Sequence, residues 1–383
     1  MRAAPESPPS PTSTPGRLAA SWNDFWFTPT PTSTLALVRI AYGTVLLFWC
    51  ALISFDLVAF FSDSGILPEA VNRPYAWSLL EVFSSDAALF ILFGVLVVAA
   101  GCLLVGFHTR LAAVVAFVVL VSFERRNVLV LNAADILLRL FGLYLVLAPA
   151  GAALSVDRWR RHRDRFWEFP ARAPWALRLI QIQVSVLYLF TVWLKLRGET
   201  WHEGTAVSYS LQVTEIARFE VPAWIAQSAL VSNVATYGTL AIESALALLI
   251  WNRRARPWVI AAGVALHLSV LAAIMVGLFS ATVFVGYLAF APAERASGWI
   301  AGLRRCLWRS SSPHLRRVAA AGPDPGYQLP LPLGKPSRRG NAILGNERSR
   351  TKYGGDHGLD PALPGVRLRP DVAPRGRPPP VGP

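Results

Sequence analysis

Long apolar runs separated by short polar loops dominate the first 292 residues of the chain. A helix needs about 20 mostly apolar residues to cross the roughly 30 Å hydrocarbon layer of a membrane. By that measure the runs predict eight transmembrane helices, at residues 35–55, 87–107, 111–131, 133–150, 175–195, 234–251, 257–275 and 277–292. The predicted fold is therefore an all-α integral membrane protein, a bundle of about eight transmembrane helices.

The segments on either side of the bundle have a different composition. Residues 1–21 are rich in Pro, Ser and Thr and lack the basic stretch and short apolar core of a cleavable signal, so we predict a disordered segment. The transmembrane domain then spans 22–292, and its first aromatic residues predict an interfacial anchor. Residues 293–310 predict a basic amphipathic helix on the inner membrane surface. Residues 311–383, rich in Pro and Arg, predict a disordered cytoplasmic tail.

Composition and charge support a membrane location. The chain is 54% hydrophobic and 16% charged, whereas about a quarter of the residues in a soluble domain are charged. Arginines concentrate in 158–172, in 253–256 and in the tail. Eight helices with both termini in the cytoplasm place every strongly basic loop on the inner side, which predicts a multi-pass protein of the cell (plasma) membrane.

The net charge of +14 also bears on the partners of the protein. The basic loops and tail are expected to contact anionic lipid head groups of the bilayer. Nucleic acid is not an expected partner, although the basic tail leaves that alternative open.

Lys195 is the only lysine in the first 334 residues, and it ends the fifth apolar run. Burial can drive an amine, unlike a guanidinium, toward a neutral base or nucleophile. Gln181, Tyr188 and Lys195 follow one another at intervals of seven and so share a helix face, which is expected to point into the bundle because polar groups facing lipid are costly. The alternative is a lysine that extends its ammonium to the membrane interface. The sequence leaves both interpretations open.

Other ionisable residues fall inside the predicted helices. Asp135 and Arg139 are four residues apart and are expected to pair with each other, as a structural pair. Arg39, one turn into the first helix, is expected to be an interfacial anchor. Glu243 and His267 lie in the middle of the sixth and seventh helices, where they either line a cavity or form interhelical hydrogen bonds.

Metal chemistry is not predicted. The six histidines are scattered, with no two at helix spacing near an acid. The three cysteines lie far apart, so neither a disulfide framework nor a zinc site is indicated.

Several stretches resemble the horizontally transferred transmembrane (HTTM) family, bacterial relatives of the vitamin K-dependent gamma-carboxylase. The resemblance covers 22–292 and is specific through the order and spacing of its pieces. The pieces are Phe25–Phe27 with Pro29, Leu35–Gly43, Phe61–Pro68, Gly106–Arg110, Asn132–Leu140 and, most strongly, Tyr188–Ala206.

The resemblance implies a chemistry for Lys195. In the carboxylase family, the lysine of the Tyr…Lys…Trp…Gly pattern is the base that deprotonates a hydroquinone, and Lys195 matches it. The resemblance thus implies a reduced, vitamin K-like quinone as cofactor, with O2 and CO2 as co-substrates and no metal. His267 is the second catalytic candidate. The candidates for substrate binding are Gln181, Tyr188, Trp201, Gly204, Glu243, Asp135 and Arg139.

One departure limits this expectation. The carboxylase has a large lumenal domain after its membrane helices, where this chain has the predicted tail. A smaller quinone-linked or carboxylation-type reaction is therefore expected rather than propeptide-directed glutamate carboxylation. The alternative is a transporter, or a non-catalytic membrane module, that uses the same polar stripe for permeation or assembly.

Overall fold

The computed structural model describes residues 14–68 and 77–310, and these residues are mostly helical. Their α-helices are α1 Thr14–Phe27, α2 Ser33–Ile53, α3 Leu57–Phe61, α4 Leu79–Val82, α5 Asp86–Val105, α6 Thr109–Arg126, α7 Ala133–Leu147, α8 Val156–Arg161, α9 Trp175–Lys195, α10 Glu199–His202, α11 Ala206–Leu211, α12 Ala223–Ala226, α13 Ala229–Leu248, α14 Arg256–Ala273, α15 Phe279–Leu288 and α16 Ala293–Ser310. Two short strands, β1 (Thr30–Pro31) and β2 (Ala171–Arg172), pair antiparallel and hold the start of α2 against the segment before α9.

Five helical stretches of the described residues are long and apolar enough to cross a membrane. They are Ser33–Phe61, Asp86–Val105, Trp175–Lys195, Ala229–Trp251 and Arg256–Ala273. The described residues are therefore mostly helical with five candidate membrane-spanning helices, which fits the predicted all-α membrane protein.

The predicted count of eight is not confirmed. The runs 111–131, 133–150 and 277–292 correspond to α6, α7 and α15, which differ from the other five in length or charge. Helix α6 contains Arg110 and the charged triplet 124–126, α7 has 15 residues, and α15 has 10.

The helices form one packed bundle. Helix α5 packs between α2 and α6, and α6 packs on α7, while α9 packs on α13 and α13 on α14. Helix α15 contacts α2, α7, α9 and α14 and so joins the two groups. The buried core contains large apolar side chains from both groups, among them Leu46, Leu96, Phe141, Ile180 and Phe290.

Helix ends follow local sequence signals. The hydroxyl of Ser85 caps α5, and the side chains of Asn132 and Ser228 cap α7 and α13 by accepting backbone N–H groups. Helix α5 ends at Gly106, whose φ of 72° favours glycine. A Cβ at Gly106 would also collide with the side chain of Arg39.

The flanking segments differ in part from their prediction. Residues 14–21 belong to helix α1 instead of a disordered segment, because the end of α1 packs on α9, where Arg178 donates to the Phe25 carbonyl at 3.2 Å. Residues 1–13 and the predicted disordered tail 311–383 lie outside the described residues. Helix α16 coincides with the predicted segment 293–310.

Arg39 is not the interfacial anchor that we predicted. Its side chain is fully buried and donates to the carbonyls of Ala150 at 3.3 Å and Leu154 at 2.6 Å. The turn after α7 folds back over α2, and its carbonyls need donors once they are shielded from water. The guanidinium therefore stabilises this turn.

The start of α6 is capped by a residue from the first turn of α8. The carboxylate of Asp157 accepts hydrogen bonds from the backbone N–H groups of His108 and Thr109, both at 2.8 Å, and from the Thr109 hydroxyl at 2.7 Å. Burial raises the pKa of Asp157, but the Thr109 and His108 donors outweigh it and hold the pKa below its ordinary value.

Candidate functional site

Lys195 forms an ion pair with a carboxylate on the neighbouring helix. It is the last residue of α9, and its Nζ contacts Oε1 of Glu243 on α13. The two side chains are 23% and 11% exposed. The Nζ atom also lies 4.7 Å from the ring centroid of Trp201 in α10. The amine therefore points at a carboxylate and an aromatic face within the bundle.

A chain of hydrogen bonds lies next to this pair. The Tyr188 hydroxyl is 2.7 Å from Nε2 of His267 and is also hydrogen-bonded to the Tyr287 hydroxyl. All three side chains are buried. Lys195 is close enough to His267 for its charge to act on the imidazole. Glu243 is close enough to Tyr188 and Tyr287 for its charge to act on both hydroxyls. The ion pair and the chain therefore form one polar site, which we call the Lys195 site: Tyr188, Lys195, Glu243, His267 and Tyr287.

Two polar atoms of the Lys195 site are buried without a hydrogen-bond partner in the described part of the chain. They are Oε2 of Glu243 and Nδ1 of His267. The His267 ring packs against Phe279 and Phe284, with centroids 5.5 and 6.1 Å apart. Because a buried polar atom without a partner costs free energy, these two atoms are places where a ligand would gain hydrogen bonds.

The segment after Lys195 is fastened to α13. The Gly204 carbonyl accepts from the Ser232 hydroxyl at 2.8 Å, and the His202 carbonyl accepts from the Tyr237 hydroxyl at 2.7 Å. Gly204 has a φ of 75°, and a Cβ there would lie 3.0 Å from the Tyr237 ring. Gly204 thus shapes the turn after α10, the helix that carries Trp201, without a hydrogen bond to Lys195.

Gln181 lies toward the other end of α9. It is buried, donates to the Ala289 carbonyl at 2.7 Å and accepts from Arg178 at 2.9 Å. Together with Tyr287 it lines a cavity of about 1250 Å³, of which Lys195 is not a lining residue. The polar stripe of α9 faces the bundle as expected, but it extends along the whole helix.

Asp135 and Arg139 do not pair with each other, which corrects our prediction. The Asp135 carboxylate accepts from the Asn132 backbone and from Trp49 Nε1, both at 2.7 Å. Arg139 instead pairs with Glu124 of α6 at 3.1 Å. The capping box at the start of α7 holds the Asp135 side chain at the helix end, so the guanidinium reaches the adjacent helix. No hydrogen bond or ion pair among the described residues links either side chain to the Lys195 site.

Sequence reasoning missed three residues that the fold uses. Glu124 is an acid inside a predicted membrane helix, a signal that should have nominated it. Trp49 and Tyr287 carried no such signal, because a single Trp or Tyr in an apolar helix is ordinary. Their partners become evident only once the neighbouring helices are in place.

The Lys195 site has the elements of proton-transfer chemistry. The amine and the carboxylate of its ion pair can exchange a proton over one hydrogen bond. The two tyrosine hydroxyls and the imidazole can donate and accept along a continuous path. The aromatic rings around them limit the access of water.

Comparison with known protein families identifies the domain. The profile of the HTTM domain matches residues 27–294, a range that includes the whole Lys195 site. No curated protein and no solved structure matches the chain significantly.

Proposed function

The chain belongs to the HTTM domain family, and from this membership we propose that it is a membrane enzyme of the gamma-carboxylase type in which Lys195 is the base. The observation that best supports this proposal is the Lys195–Glu243 ion pair, which lies under the Trp201 ring and beside the Tyr188–His267 hydrogen bond. We further propose that α6, α7 and α15 complete eight membrane crossings, with both termini on the cytoplasmic side of the plasma membrane.

A base must first be neutral, and the ion pair offers a route to that state. Two buried opposite charges stay ionised only while the attraction between them offsets the free-energy cost of removing both from water. When water is excluded from the site, transfer of the ammonium proton to Glu243 leaves a neutral amine and a neutral carboxylic acid. Glu243 therefore has the role of a proton acceptor that prepares Lys195, and Trp201 shields the amine from water.

The residues present fit a ring that carries hydroxyl groups. Glu243 Oε2 and His267 Nδ1 are buried and lack partners among the described residues, and Phe279 and Phe284 supply apolar surface beside the imidazole. A reduced quinone, when bound, would supply an acidic hydroxyl and reducing equivalents, with O2 and CO2 as co-substrates. Lys195 takes a proton at Nζ, and the Tyr188 hydroxyl, which is itself bonded to the Tyr287 hydroxyl, holds the imidazole in position.

The test compares two variants that keep the charge at the end of α9. Lys195→Arg replaces the amine. Arg197→Lys is the matched control, because Arg197 lies two residues after Lys195 and its guanidinium is 4.5 Å from the ring centroid of Trp193. We expect purified wild-type protein in detergent to oxidise reduced menaquinone in an O2-dependent manner. Lys195→Arg should reduce the rate at least about 100-fold, the usual contribution of a general base, and Arg197→Lys should not.

Two further measurements separate folding from chemistry. Lys195→Arg should keep the thermal unfolding midpoint of the wild type and its increase upon addition of reduced menaquinone. Equal rates for wild type and Lys195→Arg would exclude the amine as the base. If the wild type neither oxidises nor is stabilised by the quinol, the enzyme proposal fails, and solute flux in liposomes then tests the transporter alternative.

A further inference from the structure

A large cavity lies toward the end of α9 that is distant from Lys195. Its volume of about 1250 Å³ exceeds the roughly 300–1,000 Å³ of sites for small molecules. The apolar part of its wall comes from α14 and α15, with Ile260, Val264, Phe284 and Leu288. The cavity thus has the volume and the apolar wall that a hydrocarbon chain requires.

Four arginines gather at this cavity, and the surrounding acids do not neutralise them. Arg178, Arg253, Arg256 and Arg295 are lining residues, while Glu294 is the one acidic lining residue. Among the described residues none of the four forms an ion pair with a carboxylate, and they are close enough to repel each other. Like charges held together in this way favour an anion between them.

The four arginines divide into two pairs with different freedom. Arg178 donates to Phe25 and Gln181, and Arg256 donates to the carbonyls of Ile250, Trp251 and Phe290 at 2.9–3.3 Å. In the described part of the chain the side chains of Arg253 and Arg295 have neither a hydrogen bond nor an ion pair. The first pair is thus fixed by the fold, and the second has guanidinium donors available for a ligand.

We propose that this cavity binds an anionic phospholipid, with its phosphate at the arginines and an acyl chain along the apolar wall. The arginines of the cavity lie at the predicted cytoplasmic end, where anionic lipids concentrate and where basic pockets between membrane helices bind their head groups. Trp251 and Trp299 also line it, and tryptophan is enriched at the depth of lipid head groups. The proposal does not depend on the reaction at Lys195, although Phe284 and Tyr287 lie between the cavity and the Lys195 site.

The experiment titrates purified full-length protein in detergent with phosphatidylglycerol, phosphatidylcholine or inorganic phosphate and measures binding by native mass spectrometry. Arg253→Gln with Arg295→Gln removes the two available donors. The matched control, Arg254→Gln with Arg305→Gln, removes two exposed charges from the same two segments but outside the cavity. Because each basic residue near an anionic lipid contributes about 1 kcal/mol, the cavity variant should bind phosphatidylglycerol roughly 30-fold more weakly.

A third variant tests the apolar part without a change of charge. Val264→Trp places a larger side chain in the apolar part of the cavity and should weaken phosphatidylglycerol binding. The thermal unfolding midpoint of this variant should equal that of the wild type. The proposal is supported if phosphatidylglycerol binds more tightly than phosphatidylcholine, the control variant matches the wild type, and millimolar phosphate does not compete. It is overturned if phosphate displaces the lipid, if both double variants lose affinity equally, or if the two lipids bind alike.

Discussion

Two carboxylates of the bundle have a cation on a neighbouring helix as their partner, and the pairs differ in kind. Glu243 pairs with the amine of Lys195 at a helix end, where both side chains keep some exposure. Glu124 is completely buried and pairs with the guanidinium of Arg139 at 3.1 Å. An aromatic ring lies over the amine. The two sites therefore place the same acid beside cations of different chemistry.

The difference separates a pair whose two members can exchange a proton from one whose members cannot. A guanidinium stays protonated under all ordinary conditions, so Arg139 can only neutralise Glu124 and tie α7 to α6. An amine can lose its proton, so the Lys195 pair can become neutral without breaking. A membrane protein can thus use one cation for structure and another for chemistry within one bundle.

The largest expected effect is that of removing the charge of Glu124. Glu124→Gln leaves Arg139, which is 29% exposed, without its partner and should destabilise the protein by about 3 kcal/mol, the low end for a broken buried pair. Thermal unfolding in detergent measures this effect. The control is Glu168→Gln, which breaks the exposed pair with Arg165 and should cost less than about 1 kcal/mol. Equal midpoints for the two variants would mean that Glu124 is already neutral in the wild type.

A smaller effect is expected at the second acid of this region. Trp49→Phe removes the 2.7 Å hydrogen bond to Asp135 and should destabilise the protein by about 2 kcal/mol, since a buried carboxylate loses a donor. Trp251→Phe removes a similar bond, of 2.8 Å, to the Ser185 hydroxyl, and should cost about 1 kcal/mol because that acceptor is neutral. Should Trp251→Phe be the more damaging change, packing of the ring and not the charge of the acceptor would decide the outcome.

The smallest effect is expected outside the membrane-spanning helices, at Asp157. Asp157→Asn weakens the cap of α6 and should destabilise the protein by about 1 kcal/mol at neutral pH. Since the folded pKa of Asp157 is lowered, its contribution is complete above the unfolded value of about 4 and is lost as the pH falls through the folded value. Unfolding followed from pH 7 to pH 3 should show the two proteins converging only below about pH 4. A difference that vanishes already near pH 6 would contradict this assignment.

The helices were largely predictable from the sequence because apolar runs of membrane length have few alternatives. The runs 35–55, 87–107, 175–195, 234–251 and 257–275 overlap closely with membrane-spanning helical stretches of the structure. The apolar runs do not indicate which helices are neighbours in the bundle.

Four of the five members of the Lys195 site were predictable from the sequence, but Tyr287 and the contacts within the site were not. Lys195, Tyr188, Glu243 and His267 all came from polar groups in apolar runs, yet which acid meets the lysine depends on which helix is adjacent. Gln181 shares the face of Lys195 but precedes it by 14 residues, or about 21 Å of helix, so the two cannot meet one small ligand. For Asp135 the spacing permitted a bond to Arg139, and the cap of the same helix competed successfully for the carboxylate.

The fastening of the Gly204 loop to α13 has a consequence for how a ligand reaches the amine. The segment carries Trp201 and α13 carries Glu243, and the bonds from Ser232 and Tyr237 join the two. The same segment is also joined to the end of α9, because His202 Nε2 lies 2.6 Å from the Leu196 carbonyl and the Gly198 N–H donates to the Lys195 carbonyl at 2.9 Å. The indole of Trp201 thus bridges two helices, and a ligand that enters between the amine and the carboxylate must work against both sets of bonds.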